Sequence, residues 1–456
     1  MNSPARVVGA RSSANGGPRS LSRRQFLSRA AKAGAILGAP LIVPASVLGR
    51  GGAVAPSERI VMGGIGIGGR GGYDLGILLQ EPGVQFVAVC DVRKTRRDAV
   101  KRQVDDAYHN RDCATFRDLR ELIATRTDLD AVLIATGDRW HAPAAIMAMR
   151  AGLDVFCEKP STMSVTQGQE LVATARRYGR IFQTGMQRLS EANFVFADEL
   201  ARSGRLGKLH TVHAHQLKFQ MKTEWLPPER EPEPAECDWD MWLGPAPRRP
   251  YNAAYLRGCG AWLDYYDFGT GIAAWGSHTI GQCQSAAGVP DTSAIEYVYP
   301  GTDDANGLVC RYANGVKMVC NAQGWPQPGD KGMWRGSCGV RYEGSEGWVA
   351  VADGYARPDV SSPSLLQEFD PVMREYAART NRGMHHIRDF LDGVRSRRPC
   401  VANETVMHRA MSTNHVANIC MLLKRNVRWD PVKEEFPGDP EANRMRSRAM
   451  REPWRG

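Results

Sequence analysis

Short apolar runs alternate with amphipathic segments from the end of the N-terminal region to residue 185. The runs at 60–62, 84–90, 129–135, 154–157 and 181–184 have the length and composition of buried strands. The segments at 73–80, 94–107, 118–124, 141–151 and 165–178 have helical patterns. Strands that alternate with helices at these lengths are typical of an α/β fold, and we predict a doubly wound parallel sheet.

The pattern changes after residue 185. Strand-like segments follow one another at 209–217, 294–299, 307–312, 316–322 and 340–351, with few helices between them. This succession predicts an α+β domain with an open, mostly antiparallel sheet. Two final helices, at 384–394 and 405–423, should pack on the first domain or on the sheet edge. The segment 225–262 is rich in Pro, Trp and Arg, and its aromatic residues predict an ordered loop insertion.

The N-terminal region carries most of the basic charge of the 456-residue chain. Residues 1–55 hold eight Lys or Arg and no acid, and without them the net charge falls from +10 to +2. The rest of the chain has no basic stripe with interleaved aromatics, so we expect no nucleic-acid partner. Arg23 and Arg24 precede a mostly apolar run at 30–48, which indicates a twin-arginine export signal.

These patterns divide the chain into a leader at 1–55, a nucleotide-binding domain at 58–185 and a second domain at 186–456. The leader predicts a periplasmic or other extracytoplasmic location. A membrane anchor is the alternative, because no ideal cleavage site is visible. No later apolar run is long enough to span a bilayer. An open sheet leaves a face that is costly to expose, so we expect a homo-oligomer.

A glycine-rich turn follows the first predicted strand and precedes the first predicted helix. It reads Gly66-Ile67-Gly68-Gly69-Arg70-Gly71 and fits the pattern G-x-G-x-x-G. The first glycine allows a tight turn, the second lets the backbone approach a pyrophosphate, and the third lets the helix pack closely on the sheet. The helix N-terminus then offers its N–H groups to the phosphates.

The second predicted strand ends at Asp91, 25 residues after Gly66. An acid at about this spacing binds the ribose 2′-hydroxyl of NAD, and we predict NAD as the cofactor. Arg93 and Lys94 follow directly and could hold a 2′-phosphate, so NADP stays open. The alternative role for Asp91 is that of an ordinary turn residue at a strand end.

Several motifs together resemble the glucose-fructose oxidoreductase, inositol dehydrogenase and MocA (Gfo/Idh/MocA) family. The resemblance covers about residues 58–454. Besides the glycine turn, it rests on these stretches: Ala135-Thr136-Gly137-Asp138-Arg139-Trp140-His141, Cys157-Glu158-Lys159-Pro160, Asp238-Trp239-Asp240-Met241-Trp242-Leu243-Gly244-Pro245, Trp275-Gly276-Ser277-His278, His386-Ile387-Arg388-Asp389-Phe390-Leu391 and Arg428-Trp429-Asp430-Pro431.

The resemblance implies an NAD(P)-dependent oxidoreductase that acts on a sugar, cyclitol or glycoside by hydride transfer. It implies Lys159 and His278 as catalytic residues, with cofactor contacts from Thr136, Trp140, His141, Glu158 and Lys159. It implies substrate contacts from Gln187, Arg188 and Trp275. Structural alternatives stay open, namely a salt bridge of Lys159 with Glu158 or an interdomain contact, a buried His278, and helix or linker roles for Trp140, His141, Gln187 and Arg188.

The sequence departs from the family at one position. The family pattern D-x-x-x-H places an acid four residues before the histidine, where this chain has Ala274. We expect Asp267 or Asp264 to supply the carboxylate instead. Elsewhere, Glu224, Trp225, Tyr255 and Arg257 are candidates for a sugar-stacking wall. His213 and His215 share one strand face, but no further ligands follow at suitable spacing, so we predict no metal site.

Three functions remain on this basis. The first is a dehydrogenase that acts on a carbohydrate. The second is a glycoside-cleaving enzyme that uses tightly bound NAD transiently, by oxidation, elimination and re-reduction. The third is a non-catalytic binding relative. The missing acid at Ala274 and export away from a soluble NAD pool favour a retained cofactor.

Overall fold

The first sheet of the protein consists of six parallel strands. In the computed structural model, residues 54–215, 219–222, 224–301, 307–321 and 336–454 are described. The strands are β1 (Ile60–Ile65), β2 (Val84–Cys90), β3 (Ala114–Phe116), β4 (Ala131–Ile134), β5 (Asp154–Cys157) and β6 (Phe182–Thr184). Their order is β3-β2-β1-β4-β5-β6, and every pairing is parallel. The predicted doubly wound parallel sheet is therefore confirmed.

Helices connect these strands and cover the sheet. They are α1 (Gly69–Leu78), α2 (Lys94–Tyr108), α3 (Leu119–Thr125), α4 (Asp138–Arg150) and α5 (Val165–Tyr178). Local sequence fixes their ends: Ser164 accepts the Gln167 N–H at the start of α5, and Gly179 ends it with φ +59°. All four residues of β4 are buried, as expected for a central strand covered on both faces.

Within the described ranges, the second sheet has eight strands and is mostly antiparallel, as predicted. The strands are β7 (Leu209–His215), β8 (Glu296–Val298), β9 (Leu308–Arg311), β10 (Lys317–Asn321), β11 (Val340–Gly344), β12 (Trp348–Val351), β13 (Asp359–Val360) and β14 (Val427–Arg428). The order is β13-β12-β11-β7-β10-β9-β8-β14, and β7 pairs with β10 in parallel. The segment predicted as strand at 340–351 is a hairpin of β11 and β12.

The remaining helices cover the second sheet or return to the first. They are α6 (Ala192–Arg202), α7 (Trp239–Leu243), α8 (Ala273–Ala286), α9 (Ser364–Gln367), α10 (Phe369–Thr380), α11 (His386–Ser396), α12 (Glu404–Leu423) and α13 (Pro440–Arg444). Ile387, Phe390 and Leu391 of α11 pack into the core of the first sheet, as expected for one of the final helices. The predicted domain boundary at residue 185 stays a prediction.

The predicted leader lies outside the described residues, apart from positions 54 and 55. Among the helices of the described part of the chain, none has both the length and the apolar content needed to cross a bilayer.

The carboxyl of Asp198 on α6 is buried against the second sheet, where it accepts a hydrogen bond of 2.6 Å from the Tyr342 hydroxyl. Burial raises its pKa from 3.8 to about 7. The folded protein therefore holds a proton that the unfolded chain releases between these pH values, and this contribution to stability is lost as pH rises toward 7. We expect Asp198→Asn to melt a few degrees higher than the parent at pH 8 and equally at pH 4.

Melting curves across this pH range test the expectation. The matched control is Asp291→Asn at an exposed position, which should leave the pH dependence unchanged. An equal melting temperature of parent and Asp198→Asn at pH 8 would contradict it.

Candidate functional site

A cavity of about 620 Å³ opens at the carboxyl ends of β1, β2, β4 and β5, where sheets of this type bind ligands. Fourteen of the predicted site residues line it: Gly66, Gly68, Gly69, Arg70, Asp91, Thr136, Trp140, His141, Glu158, Lys159, Gln187, Arg188, Trp275 and His278. The predicted site residues Gly71 and Asp267 do not line it, and neither do the further candidates Asp264, Glu224 and Trp225.

The glycine turn forms the phosphate side of the cavity. Gly66 has φ +69°, and a Cβ atom there would lie 2.3 Å from Thr136 Cγ2. A Cβ at Gly71 would lie 2.6 Å from the Ala135 Cβ, so this glycine allows α1 to approach the end of β4. A Cβ at Gly68 or Gly69 would meet no atom within 4 Å. The open space lies at the N-terminus of α1, which has no side-chain cap, and a pyrophosphate fits there.

Asp91 lies at the end of β2, on the side of the cavity expected for the adenosine ribose. Its Oδ1 accepts the Arg93 N–H at 2.8 Å, and burial raises its pKa to about 6. Lys94 pairs with Asp98 of its own helix at 2.6 Å and does not line the cavity. The carboxylate that NAD requires is therefore present, whereas one of the two cations considered for a 2′-phosphate is engaged elsewhere.

Glu158 connects the glycine turn to the predicted substrate side. Its Oε1 accepts hydrogen bonds from Gln187 Nε2 at 2.6 Å and from Arg70 Nε at 3.3 Å. A Cβ at Gly185 would lie 2.3 Å from this oxygen, so glycine leaves room for the carboxylate. Burial, followed by the charge of Glu158, raises the pKa of the neighbouring Asp74 to about 8. The buried carboxyl groups of Asp74 and Glu158 therefore share one proton at neutral pH.

Lys159 extends from the end of β5 toward the second domain. Its Nζ donates a hydrogen bond of 2.9 Å to the Ala274 carbonyl oxygen and lies 5.4 Å from the centroid of the Trp275 ring. The interdomain contact that the sequence analysis kept open as an alternative role of Lys159 is thus present. It places the ammonium group at the cavity wall. No salt bridge joins Lys159 and Glu158 among the described residues.

His278 is buried on α8 and faces the same cavity. Burial, then the positive charges of Lys159 and Arg188, hold its pKa well below the ordinary value. Arg188 Nη1 lies 3.5 Å from Nε2, and Nδ1 has no hydrogen-bond partner within the described ranges. The ring is therefore a neutral imidazole, and since arginine only donates, Nε2 is the nitrogen without a proton.

The structure does not bring Asp267 or Asp264 to the cavity. Asp267 pairs with Arg249 at 2.5 Å, and Asp264 pairs with Lys222 at 3.2 Å. Neither Arg249 nor Lys222 lines the cavity, so each ion pair engages its carboxylate outside the site. The acid missing at Ala274 is therefore not replaced from this loop.

A carboxylate that sequence reasoning missed lies just beyond β12 and contacts Arg188 of the cavity wall. Asp353 accepts two hydrogen bonds from Arg188, at 2.9 Å from Nε and at 2.6 Å from Nη2. Ser337 Oγ donates to the same carboxylate at 2.5 Å. Because Arg188 also approaches His278, the acid acts on the histidine through the guanidinium. The only signal in the sequence was an acid two residues after a strand-like segment.

Trp140 and His141 have positioning contacts at the start of α4. Trp140 Nε1 donates to the Met241 carbonyl at 2.7 Å, and the His141 nitrogens face the carbonyl oxygens of Pro160 and Thr136 at 2.6 and 3.1 Å. Both residues still line the cavity. The histidine thus joins the loops that follow β4 and β5. This arrangement agrees with a structural role at the start of the helix and also with the predicted contact to the cofactor.

Residues 225–268, called the aromatic segment below, close one side of the cavity. Its core is a cluster of rings: Trp239, Trp242, Tyr251, Tyr255, Trp262, Tyr265 and Phe268, with Trp225 packed against them. The backbone of the segment bonds to the first domain beside Asp91, through Lys94 N to Glu236 O at 2.9 Å and Asp238 N to Val92 O at 3.1 Å. Of the proposed sugar wall, Tyr255 and Arg257 line the cavity.

Comparisons with known proteins agree with this architecture. Residues 59–186 match the family model described as the oxidoreductase family with NAD-binding Rossmann fold. Residues 198–346 and 365–456 match the model of the C-terminal alpha/beta domain of that oxidoreductase family. NAD is therefore confirmed as the cofactor class of the first domain.

Individual curated relatives match less of the chain than the two family models do, and the solved structures have lower sequence identity to it. An alpha-N-acetylgalactosaminidase of Shewanella oneidensis is 31% identical over 182 residues, which span 38% of this chain and 39% of that protein. A glycosyl hydrolase family 109 protein of Saccharopolyspora erythraea is 36% identical over 174 residues, 35% and 38% of the two chains. The chain thus matches about two fifths of the length of these curated relatives.

Among solved structures, the WlbA dehydrogenase of Chromobacterium violaceum in complex with NADH and UDP-GlcNAcA has a TM-score of 0.58 at 15% identity, covering 83% of this chain and 98% of the other. At these identities the likeness shows the fold alone. With both of its domains matched by the corresponding models, the chain belongs to the Gfo/Idh/MocA oxidoreductase family.

Proposed function

We propose that the protein is an NAD-dependent enzyme that oxidises an alcohol group of a carbohydrate. The observation that carries this proposal is the composition of one cavity. The glycine turn and Asp91 lie on one side of it, and Lys159 and His278 lie on the other. The first set fits a dinucleotide, and the second fits the removal of a hydroxyl proton.

The chain's own residues act on the hydroxyl proton of the substrate alcohol and on the charge of its oxygen. NAD, when bound, accepts a hydride from the alcohol carbon and can return it. The Lys159 ammonium group stabilises the negative charge that develops on the alcohol oxygen as the carbonyl forms. His278 is neutral, and its Nε2 can accept the hydroxyl proton when the alcohol displaces the 3.5 Å contact with Arg188. Gln187 and Arg188 orient the substrate beside these groups, and the Trp275 ring offers a surface for a sugar face.

A second function, transient oxidation during glycoside cleavage, is favoured by the aromatic segment. It covers the ribose side of the cavity and bonds to the backbone beside Asp91, which fits a cofactor that stays bound between turnovers. The names of the curated relatives are also those of glycoside-cleaving enzymes. In this case, oxidation would acidify the C–H next to the new carbonyl, and loss of that proton would expel the aglycone, which leaves as its alcohol. Water would then add to the resulting double bond, and the hydride would return to the oxidised carbon.

The experiment that tests both functions starts with the purified protein. Denaturation should release NAD, which is measured by its absorbance. The protein is then incubated with free sugars and with aryl glycosides. Net NADH formation supports the dehydrogenase, and release of the aryl group without net NADH supports the glycoside-cleaving enzyme. If NAD neither co-purifies nor binds when added to folded protein, both functions are refuted.

Asp353 should influence turnover through Arg188 and His278. We expect Asp353→Asn to lower kcat about tenfold, because one charge of a bidentate pair is lost and the guanidinium is free to move from the histidine. The affinity for NAD should stay unchanged. Steady-state kinetics across pH 6–9 check this, since a displaced cation should also shift the pH profile. Asp392→Asn, on the exposed side of α11, is the matched control, and an unchanged pH profile and kcat in Asp353→Asn would contradict the role.

We also propose that the chain is exported by the twin-arginine route and acts outside the cytoplasm as a homo-oligomer. Arg23 and Arg24 support the export proposal, and the open second sheet supports assembly. Cell fractionation of the parent and of the double variant Arg23→Lys/Arg24→Lys tests export. Sedimentation of the purified protein tests assembly, and a monomer at micromolar concentration would refute it.

A further inference from the structure

Arg139, the second residue of α4, is a buried cation in the cavity wall. Only 4% of its surface is exposed, and its guanidinium carbon lies 3.5 Å from the centroid of the Trp242 ring. The rings of Trp262 and Phe268 lie at 5.5 and 5.4 Å. Burial lowers its pKa to about 9, so it stays charged at neutral pH.

The hydrogen bonds of Arg139 leave most of its donors unused. Nε donates to the Trp242 carbonyl at 2.8 Å, whereas Nη1 has no partner in the part of the chain that is described. The adjacent Asp138 does not bond to it, because that carboxylate accepts the N–H and hydroxyl of Thr270 at 3.1 and 2.8 Å. Gly137 leaves room for the guanidinium, since a Cβ there would lie 2.5 Å from Nη1.

The charge of Asp138 acts on Arg139 without a hydrogen bond between them. A buried guanidinium without a hydrogen-bonded carboxylate is costly, and its cost is recovered when a ligand supplies the missing acceptors. The protein's own acids in the cavity wall are already engaged. Asp91 accepts the Arg93 N–H, Glu158 accepts Gln187 and Arg70, and Asp138 accepts Thr270. The unused charge of this wall is therefore positive, and the exposed Arg257 in the aromatic segment adds to it.

The pyrophosphate of NAD does not require Arg139, because the N-terminus of α1 provides a place for it. A neutral sugar hydroxyl could accept a hydrogen bond but would leave the charge unpaired. A carboxylate offers two oxygens in the plane of the guanidinium and balances its charge.

We propose that the substrate is an acidic carbohydrate and that Arg139 binds its carboxylate. The inference rests on the proposed function, since it assigns a substrate class to the same cavity. It makes Arg139 the residue that distinguishes a uronate from the corresponding neutral sugar.

Binding of sugars to the NAD-loaded protein tests the proposal by calorimetry, independently of turnover. The probes are glucuronate and galacturonate, each compared with glucose and galactose. We expect at least one uronate to bind ten or more times more tightly than its neutral counterpart. Arg139→Met should abolish this preference while the affinity for NAD is unchanged, and Arg444→Met, at an exposed position of α13, should retain it.

Two results would overturn the proposal. One is equal or tighter binding of the neutral sugars by the parent protein. The other is a loss of NAD affinity in Arg139→Met with the sugar preference intact, which would assign the guanidinium to the cofactor. If Arg139→Met melts well below the parent, Arg139→Lys replaces it, because it keeps the charge but loses the planar fork, and a reduced uronate preference is again expected.

The outcome is separable from that of the proposed function. A protein that binds uronates through Arg139 without oxidising them keeps this inference and loses the function. A protein that oxidises neutral sugars and ignores uronates keeps the function and loses this inference.

Discussion

Replacing Lys159 by methionine is expected to lower kcat by a factor of about 10² to 10⁴ and to leave NAD binding intact. The change removes the ammonium group and keeps the apolar stem. In the parent, that group lies at the cavity wall, where its one hydrogen bond to a described residue is that of 2.9 Å to the Ala274 carbonyl, so its remaining N–H donors are available to an alcohol oxygen. Without them, the oxygen would develop its charge with no cation beside it.

The measurement combines steady-state kinetics with NAD titration of the purified variant. Lys208→Met is the matched control, because Lys208 is exposed and lies outside the cavity. Turnover of Lys159→Met within threefold of the parent would remove this lysine from the mechanism. A loss of NAD affinity would assign it a binding role instead.

Substitutions at two glycines of the same turn should affect different properties, namely the stability of the fold at Gly66 and NAD affinity at Gly68. Gly66→Ala is expected to destabilise the fold by about 2–4 kcal/mol, because φ +69° disfavours a side chain and the new Cβ would lie 2.3 Å from Thr136 Cγ2. Gly68→Val should leave the melting temperature nearly unchanged, since a Cβ there meets no atom within 4 Å. Its side chain would occupy the pyrophosphate space and lower NAD affinity at least a hundredfold.

Thermal melts with and without NAD separate the two effects. Each variant serves as the control for the other, because they lie two residues apart. Unimpaired NAD binding by Gly68→Val would refute the placement of the pyrophosphate. An unchanged melting temperature of Gly66→Ala without NAD would show that the turn can relax around a side chain.

The parts of the fold and site that the sequence predicted are those that depend on local pattern. The parallel strands are continuous apolar runs, and Gly66 and Asp91 follow them directly, so their places at the sheet edge could be read from the chain. Lys159 likewise follows β5 by two residues. Helix α6 was missed because no element was assigned between residues 185 and 209, and its buried residues form a nearly continuous run at 194–201 instead of a one-faced helical pattern.

The contacts that the sequence did not reveal join distant segments. Asp353 reaches Arg188 across 165 positions, and no local pattern connects them. Arg139 stood within a recognised motif, but its burial beneath Trp242 depends on the aromatic segment 103 residues later. For Asp267 the reasoning relied on proximity along the chain, whereas the loop turns its carboxylate toward Arg249.

The aromatic segment also determines how a dinucleotide could leave. Its rings pack on one another, and its backbone bonds at Val92 and Lys94 hold it beside the ribose side, so we expect these bonds to break before a dinucleotide leaves. Departure is then a local unfolding event, with a rate set by the stability of this segment and not by the affinity of the phosphates alone. Mild denaturant should accordingly accelerate coenzyme release well below the concentration that unfolds the two sheets.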